Sequence, residues 1–521
     1  MPDNDYELVV IGGGPAGEKG AAQAAYFGYK TVVIEAYREL GGACINWGTL
    51  ASKTLRESAL FLSGFRIRQL GEGLNIQFKA DITLNSFMHR KKLVQCREQE
   101  RAARNLAASW HNIARMTGVA RIVDPNTVHV TCPDSSVKKV RGKIILIATG
   151  STPARPQNVQ FNDDNIFDAT TVLEMKQLPK SMVVIGGGVI GSEYACLFNA
   201  LGVKTTLVHP QPRPLDSLLD GEIGEEFTSR MRRDGIELCM NESLPDSKED
   251  PAAVVSENGQ VKVKLKSGKV LMTDAVLCGL GRHGNTKDLG LKELGIPINK
   301  CGLLIKKGPD PKRESPDGFD PITYQTKVPS IYVAGDIIGA PALASTSMEQ
   351  GRLAMCHAFG LHYKTKLAPI LPVGIFTIPE ISQVGKTEEE CQNANIPYVV
   401  GKDKYGNHGR GQIIGDPEGM IKMIFEVPSG KLLGVHVIGE IASELVHIGL
   451  ACLSFGGDID FFIHTVFNYP TLGDVYKYAA YSALGKLNKA REAAPKRDAR
   501  ENFGVVSNGI AGTAESSVQA D

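Results

Sequence analysis

The sequence predicts an α/β protein with two Rossmann-like dinucleotide-binding domains and a C-terminal α+β domain. Three observations carry that prediction. A short β-rich run from Tyr6 to Ile11 flows into Gly12-Gly13-Gly14-Pro15-Ala16-Gly17, followed by an Ala-rich helical segment and a second apolar strand ending in Glu35. The same order recurs from Met182, with Gly186-Gly187-Gly188-Val189-Ile190-Gly191 placed 174 residues later (186 minus 12). Beyond Ile370, strand signals at 374–377, 420–427 and 432–438 have the spacing of an antiparallel sheet. The last two are joined by a Pro428-Ser429-Gly430 turn, and a helix is expected from Ala442 to Phe455.

A chain of 521 residues is too long for one hydrophobic core, so roughly two to four domains are expected. Its 42% hydrophobic and 22% charged residues describe ordinary globular material, and its net charge of +1 offers no basic excess to recruit nucleic acid or an anionic membrane. Small diffusible substrates remain. No apolar run of about 18 residues occurs, and MPDNDYELVV has neither the basic start nor the apolar core of a signal peptide. A cytoplasmic location is therefore expected. Ten scattered cysteines without a Cys-x-x-Cys pair argue against a zinc site or a secreted disulfide framework; most are expected to be buried reduced thiols, and no metal site is expected.

The glycines have separate physical tasks. Gly12 permits the tight turn, Gly14 lets the backbone approach a pyrophosphate at the helix N-terminus, and Gly17 allows close packing of helix on strand. Glu35 stands where a carboxylate can bind the ribose hydroxyls of an adenosine. In the second unit Gly186, Gly188 and Gly191 repeat this logic, with a helix expected near Ser192. Its second strand, 205–208, ends in His209 rather than an acid, and Gln211 and Arg213 follow. A carboxylate would bind a 2′-hydroxyl and repel a 2′-phosphate, whereas His, Gln and Arg receive the phosphate without excluding the hydroxyl. The second site thus reads as permissive for NAD(H) and NADP(H), with His209 as a mere turn residue the open alternative.

Other segments complete the expectation. The polar stretch 86–109 reads as a helix whose charges form a solvated face. A buried strand at 143–148 leads to Thr149-Gly150, and another at 276–278 leads to Gly279-Leu280-Gly281-Arg282. Residues 306–321 read as an exposed loop without chemistry, 326–336 as a strand ending in Gly335-Asp336, and Thr346 with Glu349 as a capping box opening a helix. From about Ala490 the sequence is small, polar and aperiodic, and a disordered tail is expected.

The stretch GGACINWGTLASK, residues 41–53, resembles the GGxCxNxGCxPSK signature of the flavoprotein disulfide reductases, the class I pyridine nucleotide-disulfide oxidoreductases. The Ala148-Thr149-Gly150 crossing, Gly335-Asp336, and FNYPTLGD at 467–474 extend the resemblance over residues 5 to about 488. It implies FAD in the first site, held at Gly12, Gly14, Gly17, Glu35 and Ala36. Gly42, Cys44, Thr49, Lys53, Thr149, Gly150, Gly335, Asp336 and Ala344 complete the implied FAD site. NAD(H) or NADP(H) would bind at Gly186, Gly188, Gly191, Glu193, His209, Arg213 and Gly281. The implied domains are 1–152 and 280–368 for FAD, 153–279 for NAD(P), and 369–489 for dimerisation, giving a homodimer or higher homo-oligomer. The helix at 344 would point its positive end at the flavin.

Two departures from the family pattern agree with each other. Thr49 occupies the place of the second redox cysteine, and a hydroxyl can form no disulfide with Cys44. Tyr469 and Asp474 stand at the histidine and glutamate of the dyad that serves the dithiol as acid and base, and a tyrosine with a reference pKa near 10 is a poor proton shuttle. His464, beside Phe461 and Phe462, reads as a packed core residue. Lys53 and Glu193 match the family's pair beside flavin N5, a role compatible with a core salt bridge. With the thiol half abandoned and the flavin and nicotinamide halves kept, the expected activity is ping-pong hydride transfer between NADPH and NAD⁺ through FAD. A diaphorase or oxidase, a dihydrolipoamide-dehydrogenase-like flavoprotein and a flavin-bound redox sensor using Cys44 remain the rivals.

Overall fold

The computed structural model describes residues 5–63, 83–107, 113–310 and 312–493. The strands Asp5–Ile11, Thr31–Glu35 and Ile113–Thr117 run parallel, as do Asp5–Ile11 and the second half of Val137–Ile147. Ile331–Val333 adds to the same edge, pairing with Ile145–Ile147. The first half of the long strand turns antiparallel partners toward it, Thr127–Thr131 and then Val119–Asp124. Helix Pro15–Tyr26, with proline in its first turn where the missing N–H costs no bond, packs on helix Ala344–Ala358. Small residues permit this crossing: a Cβ on Gly351 would lie 2.2 Å from the Ala16 carbonyl oxygen.

The second unit is a five-stranded parallel sheet in the order 237–240, 204–209, 181–185, 275–278, 166–168, with a three-stranded antiparallel meander from 254 to 273 beside it. The chain enters it through Ser151–Pro153 and leaves through Arg282–Gly284, and these two short strands pair with each other. The third unit is a five-stranded antiparallel sheet, 373–375, 381–385, 432–438, 420–426 and 398–404, with helices Ala442–Ser454 and Val475–Ala493 packed on it.

Several elements differ from the sequence reading. The helix expected near Ser192 begins at Val189, matching Pro15 in the first unit. The strand expected at 374–377 is Val373–Ile375. The polar helix spans Leu84–Ala107, while Ser109 lies outside the described residues. Its polar residues do not all face water: Lys91 is buried against the Leu173 carbonyl, and Gln95 and Gln99 both bond Asn46. The 306–321 segment folds back on itself, with Lys306–Lys307 pairing Glu314–Ser315 and Phe319 buried. No capping box forms at Thr346 and Glu349, because the helix has already started at Ala344; Thr346 is buried inside it and Glu349 pairs with Lys364. The last helix continues to Ala493, three residues past the expected tail start, and the remainder of that tail lies outside the described residues.

Candidate active site

Gly41 and Gly42, with φ of +102° and +54°, turn the chain from the first glycine loop into the short helix Gly42–Asn46, which carries Cys44. Thr49 opens the next helix, Thr49–Leu62, and its hydroxyl favours the Cys44 thiolate from the place where a second cysteine would sit. Burial outweighs that influence and pushes the Cys44 thiol up, so it is neutral at physiological pH. One turn later, Lys53 Nζ lies 2.6 Å from Glu193 Oε2 on helix Val189–Ala200. Phe376, from the third unit, closes the arrangement: its N–H donates to Glu193 Oε1 at 2.9 Å, and its ring centroid is 5.1 Å from Lys53 Nζ. Arg56, a turn beyond Lys53, fixes the same segment through the Thr377 carbonyl at 2.9 Å and Glu380 at 3.1 Å. All three units therefore meet at the Lys53–Glu193 pair.

The two glycine turns are superposable in their chemistry. Gly12 and Gly186 both have φ of +105°, and a Cβ on either would strike a carbonyl oxygen at the end of a neighbouring strand, Ala148 at 2.4 Å and Gly279 at 2.5 Å. Neither following helix has a side-chain cap, at Gly14 or at Gly188, so their first backbone N–H groups stay available to an anion. A Cβ on Gly188 would meet nothing within 4 Å, and one on Gly42 would come 2.9 Å from Gly14 Cα. Uncapped donors facing space kept clear by glycine fit the pyrophosphate of a dinucleotide at both sites.

At the end of each second strand one side chain accepts from the middle glycine. Glu35 Oε2 takes the Gly13 N–H at 2.6 Å, and His209 Nδ1 takes the Gly187 N–H at 3.0 Å. That bond requires a lone pair on Nδ1, and burial holds the His209 pKa below its ordinary value against the pull of Asp216. Ile185, Gly186, Val208, Pro210 and Leu280 help to line a cavity of about 380 Å³ in front of this turn. Arg213 is bound to Asp216 at 2.6 Å and to the Gly221 carbonyl at 2.9 Å, which anchors it to the fold. Asp336 accepts from Ser151 Oγ at 3.0 Å, and Arg282 donates to the same oxygen at 2.8 Å, so both crossing strands converge on the aspartate. Thr149 and Asn285 exchange two bonds across the same junction. Gly150 and Gly281, with φ of +69° and +98°, have nothing within 4 Å of an added Cβ, and Ala36 is exposed. All ten cysteines are free thiols, and six are buried.

Near the C-terminus the expectation for His464 is reversed. It is exposed, as are Val466 and Tyr469, at the end of a short helix that buries Phe462 instead. The buried histidine near Asp474 is His408, 3.4 Å from it through Nδ1 and joined to Asp403 through Nε2. Sequence reading missed both His408 and Phe376. His408 lies 66 residues before Asp474 (474 minus 408), and Phe376 acts largely through its backbone.

Residues 6–351 match the family model described as pyridine nucleotide-disulphide oxidoreductase, and residues 371–480 match its dimerisation domain. The chain belongs to this family. Within the pyridine nucleotide-disulphide oxidoreductases it is similar to the soluble pyridine nucleotide transhydrogenase of Mycobacterium tuberculosis (strain ATCC 25177 / H37Ra), 40% identical over 93% of this chain and 98% of that one. The enzymes of the same name from Colwellia psychrerythraea and Pseudomonas putida are 36% and 37% identical, each over 93% of this chain and 99% of its own. Among solved structures, LpdA from Mycobacterium tuberculosis has a TM-score of 0.79 at 24% identity, covering 91% of this chain and 99% of its own. The HOCl-induced flavoprotein disulfide reductase RclA from Escherichia coli has a TM-score of 0.76 at 22% identity, covering 94% and 100%. Both share the fold.

Proposed function

We propose that the protein is a transhydrogenase catalysing reversible hydride transfer between NADPH and NAD⁺ at a site containing FAD, by a ping-pong sequence in which the two coenzymes occupy one site in turn. The observation that carries this reading is Thr49 beside Cys44 where a dithiol would need a second sulfur, together with an intact Lys53–Glu193 pair. The named transhydrogenase relatives, aligned over nearly their whole length, support it.

When bound, FAD would supply a two-electron carrier able to accept hydride from one nicotinamide and return it to another. The chain's own residues have four tasks. The uncapped helix at Gly14 and the Glu35 carboxylate would hold its pyrophosphate and adenosine ribose, and Asp336 its ribityl chain. The helix at Gly188, with His209, would hold the coenzyme. Lys53, oriented by Glu193, would place a positive charge by the ring, where negative charge develops on reduction. Phe376 keeps Glu193 in position and shields one side of Lys53. The domain assignment is that of the sequence reading, with 369–489 pairing two copies into a homodimer; the dimerisation-domain match and the exposed Phe455, Val466 and Tyr469 support this. No helix among the described residues is long and apolar enough to cross a membrane, and a cytoplasmic location is proposed.

The deciding experiment mixes NADPH-reduced enzyme anaerobically with NAD⁺. Flavin reoxidation with one NADH formed per flavin is expected. Reoxidation only by oxygen or a quinone would assign the protein to the oxidases or diaphorases. Reductive titration should take two electrons per flavin, and four would restore a thiol mechanism.

A further inference from the structure

Helix Gly221–Arg233 belongs to the coenzyme unit yet is ion-paired to the third unit at both ends. At its start Asp220, with no solvent exposure, accepts from the Glu222 N–H at 3.2 Å as helix cap. The same carboxylate receives Lys422 Nζ at 2.6 Å and the Glu388 N–H at 3.1 Å, both from the third unit. Lys422, 1% exposed, also bonds Glu388 and lies 3.2 Å from Glu222. Lys402 reaches Glu222 at 2.6 Å, and the Gly221 N–H reaches Glu389 at 2.9 Å. At the far end Arg230 donates to the Glu418 carbonyl and Arg233 to its carboxylate at 2.8 Å.

Burial alone would raise the Asp220 carboxyl, yet the lysine holds it below the usual carboxylate range. The imidazole of His436, opposite Lys422 in the sheet, is kept neutral by burial, and its Nδ1 has no hydrogen-bond partner among the described residues. A pair this deeply desolvated is costly to assemble and adds little net stability over apolar packing. What it does supply is a fixed register between two units, since neither charge can slide without losing its partner.

From this geometry we infer that Asp220 and Lys422 are positioning residues for hydride transfer: the strapped helix sets the coenzyme unit at one orientation to the Lys53–Glu193 pair. Its functional consequence rests on the hydride-transfer reading. The third unit already touches that pair through Phe376, so one rigid sheet carries both the coenzyme unit's clamp and the wall of the site. Hydride transfer tolerates little misplacement, an error of about 1 Å costing on the order of a hundredfold.

The test compares wild-type holoenzyme with Asp220→Ser/Lys422→Met, which keeps a capping hydroxyl, removes both buried charges and leaves Glu388, 27% exposed, to solvent. Its companion is Lys402→Ala/Arg233→Ala, at the more exposed margins, which keeps the core of the strap and the fold. Saturating rates of flavin reduction by NADPH, the Kd for NADP⁺, FAD content and Tm are measured on each. The expected result is at least a tenfold fall in the saturating rate for the first double variant and two- to fivefold for the second, with Kd within threefold and full FAD. Rates within twofold of wild type alongside a lowered Tm would show a merely structural joint and overturn the inference. So would a loss lying wholly in Kd. Should Asp220→Ser/Lys422→Met fail to fold, the marginal variant decides by the same split. Failure of the transhydrogenase reading would appear separately, as wild-type flavin reduction without NADH formation, and leaves the strap to be judged on the first half-reaction.

Discussion

Replacing Glu193 by glutamine removes one negative charge from the place where the three units meet and keeps the shape. The carboxylate accepts from Lys53 at 2.6 Å and from the Phe376 N–H at 2.9 Å. An amide has one acceptor oxygen, so retaining the Phe376 bond turns an NH₂ group toward the lysine ammonium. A hydrogen bond to a charged group contributes about 1.5–3 kcal/mol, which in a barrier corresponds to roughly 10- to 150-fold in rate. The Lys53 side chain is 24% exposed and can turn to water, so the cost to folding should fall at the low end while the loss of orientation remains. Anaerobic rapid mixing with saturating NADPH, at matched FAD content, should show flavin reduction slowed within that range. Reduction within twofold of wild type, with full FAD, would refute the assignment of Glu193 as the residue that orients Lys53.

Four further outcomes are expected. Cys44→Ser should lose less than about tenfold in NADPH-to-NAD⁺ transfer, about 1.4 kcal/mol of barrier, because serine is close in size and no step of the proposed transfer passes through sulfur; a thousandfold loss at normal FAD content would put the sulfur in the reaction. Because burial raises its pKa, alkylation of Cys44 should have its midpoint at higher pH than that of a free cysteine, as followed by peptide mass spectrometry; a midpoint at lower pH would reverse the sign. His209→Glu should cost on the order of 1–3 kcal/mol in kcat/KM for NADP(H) and leave NAD(H) use largely intact; equal losses would remove His209 from the ribose site. Tyr194 has a buried hydroxyl without a hydrogen-bond partner among the described residues, so Tyr194→Phe should raise unfolding stability by about 1 kcal/mol; a fall of that size would reveal a bridging water.

What could be read in advance was local in the chain. Gly12 and Gly186 must take positive φ under a carbonyl wherever that turn forms, so the strand, turn and helix order announces itself. The Thr346–Glu349 box had the right letters, yet the helix begins at Ala344, and Lys364 from beyond the helix takes the glutamate. His464 looked buried because its neighbours are aromatic, but of Phe461 and Phe462 only the second turns inward on that short helix. His408, Asp403 and Asp474 come together only after the sheet and the last helix have packed, and the Asp220–Lys422 pair spans 202 residues. Partners that the chain brings together from such separations leave no periodicity to detect. Phe376 had a different obscurity: much of its contribution is an N–H that every residue but proline possesses.

The bond from the Gly187 N–H to His209 reaches further than the anchoring of a side chain. With Nδ1 committed as acceptor, the ring's single proton resides on Nε2, so the imidazole offers a donor to whatever approaches from that side. A ribose hydroxyl and a phosphate oxygen can each receive it. Glu35, held the same way in the first unit, has only lone pairs to offer and rewards a hydroxyl alone. The two glycine turns thus differ in the polarity of one hydrogen bond: on the proposed function, the half that keeps a single tenant accepts, and the half through which two different coenzymes would pass donates.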